Sequence, residues 1–330
     1  MIRCKNHERI SATIRERVPP TPGVYLFYDA DGRINYIGKS INLRDRMLSY
    51  FRQGYHTVEA RIGQMIRSIE DFDYFATDTE LQALLMEDEL IKEMLPEHNV
   101  RQKQYEEYRY VLLTCDSYPA LKMIENPSEN KKGTVFGPYR DRYFVAKLLD
   151  LVYHCFHVRS CTDPVPVGQC MNYEIGKCRG PCRDAISRGD YWAIIEQVTD
   201  FLNGSDMHVM TEIVRDMEHS ASRRLYEKAS TLRNRLDFCR RFTSRQHFIY
   251  RFKSERFKLT EKRDKRVTHH FDKGRWIAGR IQMSTNSRKM GSMSERTLDF
   301  ERDPRFIIDR ANIVYTWINK NESECEYCFD

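Results

Sequence analysis

The sequence predicts an α+β protein built from several domains. Three observations support this prediction: a tight hairpin pattern near the N-terminus, helical apolar periodicity after it, and four closely spaced cysteines near the middle. A chain of 330 residues is long enough for two or three compact units. We divide it into 1–103, a small antiparallel sheet flanked by helices; 104–206, a connecting region with the cysteines; 207–245, a helical hairpin; and 246–330, a mixed basic region.

The N-terminal hairpin carries two tyrosine motifs. Pro-Gly-Val-Tyr ends at Tyr25, and Tyr-Ile-Gly-Lys runs from Tyr36 to Lys39. A turn signal between them, residues 29–32, places the two tyrosines on neighbouring strands. Such tyrosines are usually packing residues. The alternative is that paired phenols beside a lysine act on a phosphodiester bond.

Two predicted helices follow the hairpin. Asn42 is the expected cap of the first helix, and Arg46 and Tyr50 share one face because they lie four residues apart. A capping box of Thr77 and Glu80 predicts the start of the second helix.

The second helix places one carboxylate within its apolar stripe. Glu87 shares this stripe with Ile91 and Leu95, and the helix is expected to stop at Pro96. A buried carboxylate needs a metal ion or another cation as its partner. A lone glutamate at the edge of a stripe also fits a simple boundary position.

This ordered set of residues resembles the GIY-YIG nuclease domain of the bacterial excinuclease UvrC, and especially of its short Cho-type homologues. The resemblance covers about residues 17–103, with Val24 standing where the family name has isoleucine. It implies that Tyr50 orients water or phosphate and that Asn99 supports the metal side of the site. The catalytic set that the resemblance implies is Tyr25, Tyr36, Lys39, Arg46, Tyr50, Glu87 and Asn99.

Phosphodiester hydrolysis fits these residue types. The reaction needs an activated water, charge compensation on the phosphate and help for the leaving oxygen. Glu87 is the only well-placed carboxylate, so we expect one Mg²⁺ or Mn²⁺ there, held mostly by water. Arg46 and Lys39 can bind phosphate oxygens. Either Tyr25 or Tyr36 can serve as the base if nearby cations lower its pKa.

The four central cysteines predict a metal centre. Their spacing is Cys-x8-Cys-x7-Cys-x3-Cys, and glycine and proline turn-formers accompany the last two. Four thiolates can hold tetrahedral zinc or an iron–sulfur cubane, and metal-free buried thiols are a further alternative. UvrC-like proteins carry the same set in this place, which implies a [4Fe–4S] cluster. The predicted ligands are Cys161, Cys170, Cys178 and Cys182.

The rest of the connecting region reads as strands followed by helices. Residues 111–113 and 121–124 are expected to pair as antiparallel strands, and the chain is expected to break at 137–139. Helices are predicted over 143–153 and 191–202.

Residues 207–242 resemble the UVR helical hairpin that pairs with the helicase subunit UvrB. The alternative is an ordinary amphipathic helix pair that covers a core. At the end of the chain, Cys325 and Cys328 are expected to lie in a frayed tail after a final helix that ends near Asn319.

Positive charge is concentrated late in the chain. Residues 1–103 have 15 Lys and Arg against 16 Asp and Glu, whereas residues 215–280 have 20 against 8. This later segment could supply contacts to DNA phosphates, or it could be an ordinary solvated face. The aromatic residues interleaved with its charges are Phe248, Tyr250, Phe252, Phe257 and Trp276.

Composition also bounds the cellular setting. No apolar run reaches the length that spans a membrane, and charged residues interrupt any signal-peptide pattern at the N-terminus. We therefore expect a cytoplasmic protein with no membrane partner. In that reducing compartment the cysteines favour a metal over disulfides.

The resemblance implies a monomeric DNA-repair endonuclease. It would make one incision, on the 3′ side of a lesion in a damaged duplex held by UvrB. Past residue 246 no pattern of a second nuclease domain is expected. The alternatives are a UvrB-independent, structure-specific nuclease on branched or foreign DNA and a non-catalytic repair adaptor.

Overall fold

The computed structural model divides the chain into two compact units, residues 1–105 together with 252–330, and residues 106–251. The four predicted segments therefore group differently: 246–330 falls largely with the N-terminal sheet, and the helical hairpin falls with the connecting region. The structure describes residues 2–52, 60–99, 108–129, 132–161, 170–205, 208–262, 266–278 and 304–330.

The first unit contains a three-stranded antiparallel sheet. Strand β1 (Gly23–Tyr28) lies between β2 (Ile34–Ser40) and β3 (Asp71–Ala76). The predicted hairpin is confirmed, because β1 and β2 are antiparallel neighbours and Tyr25 pairs with Gly38.

Helices cover both faces of this sheet, so every residue of β1 is buried. Tyr25 and Phe27 face one side, and the alternate residues of the strand face the other. Residues of α1, α2 and α3 pack on the first side, and α4 packs on the second. The helices are α1 (Ile2–Arg17), α2 (Leu43–Ser49), α3 (Ala60–Ser68) and α4 (Glu80–Met94).

The capping box of α4 lies two residues later than predicted. Thr79 is the cap: its hydroxyl accepts from the Gln82 amide, and the Gln82 side chain accepts from the Thr79 amide. The hydroxyl of Thr77 instead donates to the Thr79 carbonyl. Glu80 becomes the first helical residue, so its side chain is available for a contact outside the helix. The predicted pair of Thr77 and Glu80 was wrong because both threonines fit the cap pattern.

Other helix ends agree with the sequence in part. Asn42 caps α2 as predicted, since its side chain accepts from the Asp45 amide at 3.1 Å. Helix α4 ends at Met94, and Leu95 takes a left-handed conformation with φ of 46°. Leu95 is 58% exposed, so its predicted place in the apolar stripe was wrong.

The second unit begins with another antiparallel sheet. Its strands are β4 (Arg109–Thr114), β5 (Leu121–Ile124) and β6 (Gly133–Tyr139), in the order β5-β4-β6. The predicted pairing of β4 with β5 is confirmed. Residues 137–139 do not break the chain but end β6. Proline is tolerated there because β6 is an edge strand.

Helices complete the core of this unit. The predicted helices within α5 and α7 are confirmed. Helix α9 continues past the predicted boundary at residue 245, because Phe248 and Ile249 extend its buried face. The helices are α5 (Arg142–Phe156), the short α6 (Met171–Glu174), α7 (Arg188–Leu202), α8 (His208–Ser222) and α9 (Tyr226–Ser254).

The described residues between 256 and 330, which we call the C-terminal lobe, include a second sheet of the first unit. The strand order is β10-β7-β8-β9, and one long helix, α10 (Pro304–Lys320), contacts α4. The final predicted helix is thus confirmed. The strands are β7 (Arg256–Glu261), β8 (Val267–Asp272), β9 (Arg275–Ala278) and β10 (Cys325–Phe329).

One expectation for the late segment was wrong, because Cys325 and Cys328 lie in β10, which pairs with β7, and not in a frayed tail. Of the five aromatic residues interleaved with the basic residues, only Tyr250 is exposed. The other four are buried because they sit at the apolar positions of α9 and of the lobe's sheet. None of the helices in the described ranges combines the length and apolar character needed to cross a bilayer.

Candidate nuclease site

Three tyrosines from three elements meet on one face of the first sheet. Tyr25 comes from β1, Tyr36 from β2 and Tyr50 from the end of α2. The phenolic oxygens of Tyr25 and Tyr50 are 2.7 Å apart, and the ring centroids of Tyr36 and Tyr50 are 6.2 Å apart. Tyr25 and Tyr50 are buried, whereas Tyr36 is half-buried. The three tyrosines thus form a chain of neighbouring rings that runs from the core toward solvent.

Gly38 makes room for this chain. A Cβ atom at this position would lie 2.6 Å from Cζ of Tyr25 and 3.0 Å from Cε1 of Tyr36. Position 38 in the second motif therefore requires glycine, because any side chain there would collide with Tyr25 of the first motif.

Glu87 reaches the same strand from α4. Its Oε1 accepts from the backbone amide of Lys39 at 2.9 Å, and its charge acts on the Tyr36 phenol. The ammonium of Lys39 lies 2.9 Å from Oε1 of Glu80, seven residues before Glu87 on the same helix. Glu87 is therefore not the only carboxylate near the site, and the positive charge of Lys39 has an acidic partner.

Asn99 is bound to β2 through both of its side-chain polar atoms. Oδ1 accepts from the Ile37 amide at 2.8 Å, and Nδ2 donates to the Ile37 carbonyl at 2.7 Å. The next residue back, His98, donates its amide to the Asn35 carbonyl. Asn99 thus acts on the backbone of the strand between Tyr36 and Gly38.

Arg46 supplies a positive charge beside the tyrosines. Its guanidinium carbon lies 5.2 Å from the centroid of the Tyr50 ring, a cation–π arrangement. The predicted shared face of Arg46 and Tyr50 is therefore confirmed.

The pKa values of Tyr25 and Tyr36 are raised, whereas a tyrosine that acts as a base needs a lowered pKa. Burial raises the pKa of Tyr25 well above its ordinary value, and Tyr50 and Tyr36 raise it further. Burial, then Tyr50 and Glu87, likewise raise the pKa of Tyr36. Arg46 lowers both but does not outweigh burial. Both phenols are therefore neutral at pH 7 among these side chains, and the lowered pKa that a tyrosine base requires is not found with these neighbours.

The seven predicted site residues all lie on or against β1 and β2. The sequence reasoning missed Glu80, which was assigned only to a helix cap. A spacing of seven residues from Glu87 places both side chains on one helix face, and this signal could have identified Glu80.

A second cluster, in the second unit, contains the four predicted cysteine ligands. Burial raises the pKa of Cys178, and the other three cysteines raise it further. Cys182 is affected in the same way by Cys170 and Cys161. The four thiols are therefore close enough to disfavour one another's ionisation, and a bound cation would relieve this repulsion.

The chain around these thiols turns as the sequence suggested. Gly176 and Gly180 have φ of 69° and 71°, and the Gly180 amide donates to the sulfur of Cys178 at 3.4 Å. Nη1 of Arg159 lies 3.8 Å from the sulfur of Cys161, a buried cation that no sequence pattern indicated. Within the described ranges, no three His, Cys, Asp or Glu side chains stand in a ready metal-binding arrangement. The donor types fit a thiolate-bound metal.

Two known family models match this chain, one in each compact unit. The UvrC-like GIY-YIG domain matches residues 21–100, and the UvrC/Cho excinuclease middle domain matches residues 108–201. The first match covers the sheet with its tyrosines, and the second covers the sheet and the cysteines of the second unit.

Individual relatives agree with these matches. The UvrABC system protein C of Caldicellulosiruptor saccharolyticus is 32% identical over 72% of this chain and 41% of its own length. That of Methanothermobacter thermautotrophicus is 34% identical over 70% of this chain and 39% of its own. The chain belongs to the UvrC/Cho-type GIY-YIG excinuclease family. It spans about two fifths of the length of these relatives.

Among solved structures, the N-terminal endonuclease domain of UvrC from Thermotoga maritima, bound to its catalytic magnesium, is 29% identical. The match covers 28% of this chain and 98% of that domain, with a TM-score of 0.25.

Substituting Gly38→Ala should disrupt the tyrosine chain. The new Cβ overlaps the phenol of Tyr25, which is fully buried and cannot swing aside, so the bond between Tyr25 and Tyr50 should be lost. We expect a loss of about 1–3 kcal/mol in the free energy of unfolding, typical of overpacking, measured by urea denaturation.

The matched control is Gly32→Ala in the hairpin turn. This glycine has a positive φ, 75°, which Gly38 does not, and nothing lies near its Cβ position. The control should show only the backbone cost of about 1–2 kcal/mol and keep the near-ultraviolet circular dichroism of the tyrosines. An unchanged tyrosine signal in Gly38→Ala would contradict the packing requirement.

Proposed function

We propose that this chain is a divalent-metal-dependent DNA endonuclease of nucleotide excision repair. It would make one incision, on the 3′ side of a lesion in a damaged duplex bound by a UvrB-like helicase subunit. One observation supports this most directly: the Glu87 carboxylate is held at the end of the strand that carries Tyr36. The Glu87 carboxylate, a cluster of phenols and a guanidinium together suit hydrolysis of a phosphodiester.

Glu87 is the residue that would hold Mg²⁺ or Mn²⁺. A carboxylate can accept about four hydrogen bonds or ligand contacts, so the bond from the Lys39 amide does not exhaust it. A hard cation with few protein ligands keeps most of its waters, which agrees with a single carboxylate. When bound, such a cation lowers the pKa of a water and offsets the negative charge of the phosphate.

The other residues would position the reacting groups. Arg46, held over the Tyr50 ring, can fork onto two non-bridging phosphate oxygens. Tyr36 is the half-buried end of the phenol chain, so it is the hydroxyl that can meet an attacking water. Because its pKa is raised, it would orient this water as a neutral phenol, with Tyr50 and Tyr25 fixing its direction. Asn99 would keep the strand that carries Tyr36 in register.

Glu87→Gln should abolish incision without unfolding the protein. The amide keeps the shape of the side chain and can still accept from the Lys39 amide, but it lacks the charge that holds a divalent cation. We expect nicking of an end-labelled lesion duplex loaded with UvrB to fall roughly a hundredfold or more. The matched control, Glu97→Gln, changes an exposed glutamate beyond α4 and should nick normally.

The same assay separates the alternatives. Cleavage of bare branched DNA without UvrB would favour a structure-specific nuclease. Full activity of Glu87→Gln would refute the metal assignment, and a wild-type chain that binds UvrB and DNA but never nicks would be an adaptor.

The exposed face of α9 is the proposed contact to DNA phosphates. This helix carries eight Lys and Arg against two acidic residues, and Arg233, Arg240 and Arg241 are exposed. Because its aromatic residues are largely buried, this face would attract the phosphate backbone rather than stack on bases.

Replacing Arg240 and Arg241 together with glutamine should weaken DNA binding and its salt dependence. Each lost phosphate contact lowers the slope of log affinity against log salt by about one, so the double variant should lose about two. Fluorescence anisotropy over a salt series measures this slope. Arg256→Gln, an exposed charge of the C-terminal lobe, is the control and should leave it unchanged. An unaltered slope in the double variant would remove the role of α9.

The tip of the helical hairpin is the proposed contact to UvrB. Helices α8 and α9 both bury residues in the core of the second unit, but Leu225 and Tyr226 at the tip are 49% and 69% exposed. Two neighbouring apolar side chains in solvent fit the edge of an interaction surface.

Leu225→Glu should weaken UvrB binding, because a charge would enter an apolar contact. Affinity measured by biolayer interferometry should fall about tenfold or more, which is typical of a residue central to an interface. Thr211→Glu adds the same charge on an exposed position of α8 and is the control. Equal affinity of both variants for UvrB would show that the contact lies elsewhere on the protein.

The cysteine cluster is the proposed site of a structural metal centre, with a [4Fe–4S] cluster preferred over zinc. Its four thiols are clustered, so a bound cation would relieve their mutual repulsion, and the Gly180 amide aimed at a sulfur and the Arg159 cation favour thiolates. Cys161, Cys170, Cys178 and Cys182 would be the ligands.

Anaerobically purified protein should be brown and contain iron and sulfide in equal amounts. Cys178→Ser, which alters the most buried of the four thiols, should lose the broad visible absorbance. Cys239→Ser alters a buried thiol outside the set and is the matched control. Zinc in a colourless protein would select the other metal, and the absence of both metals would refute the centre.

A further inference from the structure

Helix α4 contains a lysine that is almost completely buried. The side chain of Lys92 is 1% exposed, and its Nζ lies 2.6 Å from Oδ2 of Asp88 and 2.7 Å from Oδ2 of Asp309. Asp88 is on α4, whereas Asp309 belongs to α10 of the C-terminal lobe. The same ammonium lies 4.7 Å from the centroid of the Phe306 ring. A buried ammonium is tolerated only with such partners, so the position of α10 is tied to that of Lys92.

A second charged contact joins the same elements. Nη2 of Arg310 donates to Oε1 of Glu89 on α4 at 2.7 Å, and its Nη1 donates to the Gly274 carbonyl at 2.9 Å. Gly274 lies in the turn between β8 and β9. One guanidinium therefore links α4, α10 and the sheet of the lobe, and its planar fork fixes their relative orientation.

These contacts act on the turn of α4 that also carries Glu87. Glu87 faces β2 and accepts from the Lys39 amide, whereas Asp88, Glu89 and Lys92 face the lobe. A rotation of α4 about its axis, or a slide along it, would move both sets of side chains together. A rigid helix thus transmits the position of the lobe to the carboxylate.

Apolar packing alone would not give the same control. Replacing a buried ion pair by well-packed apolar residues often leaves stability unchanged, so such pairs are weak devices for stability. They are directional, however, because an ammonium between two carboxylates accepts few alternative positions. The ion pairs between the lobe and α4 are therefore better suited to fixing the position of α4 than to stabilising the fold.

We infer that the C-terminal lobe is a positioning module for the nuclease site. Lys92, Asp309 and Arg310 fix the rotation and axial position of α4, and so hold Glu87 where it meets the end of β2. They are positioning residues, because none of them touches the reacting atoms. The inference rests on the proposed nuclease function. The matched family domains end at residue 201, so the lobe lies outside them.

The test measures metal binding and incision separately in the full chain. Mn²⁺ titrated by electron paramagnetic resonance gives the dissociation constant without DNA, and the signal lost in Glu87→Gln defines the site. In Asp309→Asn and in Lys92→Met this constant should rise about tenfold, the scale of losing a positioning contact behind a metal ligand. Nicking should recover at high Mg²⁺ concentration.

The double variant Lys92→Met with Asp309→Asn should be no worse than Lys92→Met alone, because both changes remove one interaction. Arg256→Gln, which loses an exposed ion pair within the lobe, should bind Mn²⁺ normally. Circular dichroism and melting temperature identify any variant that fails to fold.

Unchanged Mn²⁺ affinity in folded variants, with only a lower melting temperature, would overturn the inference and leave the lobe a stabilising element. Failure of the proposed function looks different: wild-type protein would then bind Mn²⁺ through Glu87 without nicking DNA, or would show no Glu87-dependent binding at all.

Discussion

The outer edge of β2 imposes the constraint on which the proposed nuclease site depends. None of the described strands neighbours its outward amides and carbonyls, and unpaired backbone groups are costly when buried. The chain around α4 satisfies them with Glu87 on the Lys39 amide, Asn99 on both groups of Ile37 and His98 on the Asn35 carbonyl. Two proposed functional side chains therefore also complete the sheet, so the geometry of the site and the pairing of the strand cannot vary independently.

The two faces of the hairpin are in contact with different functional groups. Tyr25 and Tyr50 lie in the core, where burial keeps phenols neutral and fixes their hydrogen bonds. Of the three tyrosines, only Tyr36 is partly exposed, and its buried neighbours fix its orientation. On the other face, α4 brings the carboxylate of Glu87 to the end of the strand. The position of α4 then sets how the carboxylate lies relative to the phenols, and Lys92 of α4 forms a buried ion pair with Asp309 of the C-terminal lobe.

Local signals predicted much of the fold. The turn at residues 29–32 gave the hairpin, Asn42 gave the cap of α2, and apolar periodicity gave α5 and α7. Predictions were wrong where one sequence pattern was compatible with two structures. Thr77 and Thr79 both fit a helix cap, and only the backbone conformation selects Thr79. Basic and aromatic residues that alternate along a chain fit a nucleic-acid surface, but in α9 they separate into an exposed charged face and a buried aromatic one.

The sequence by itself determined which short segments are strands and helices and which residue types stand in the two tyrosine motifs, because turns, caps and periodicity act over a few neighbouring residues. Tertiary structure decided which distant groups meet. It placed Glu80 on Lys39, Arg159 beside Cys161, and the C-terminal lobe in the same compact unit as the first sheet. Such meetings depend on how whole elements pack, and packing is set by shape and burial across the unit rather than by any local pattern.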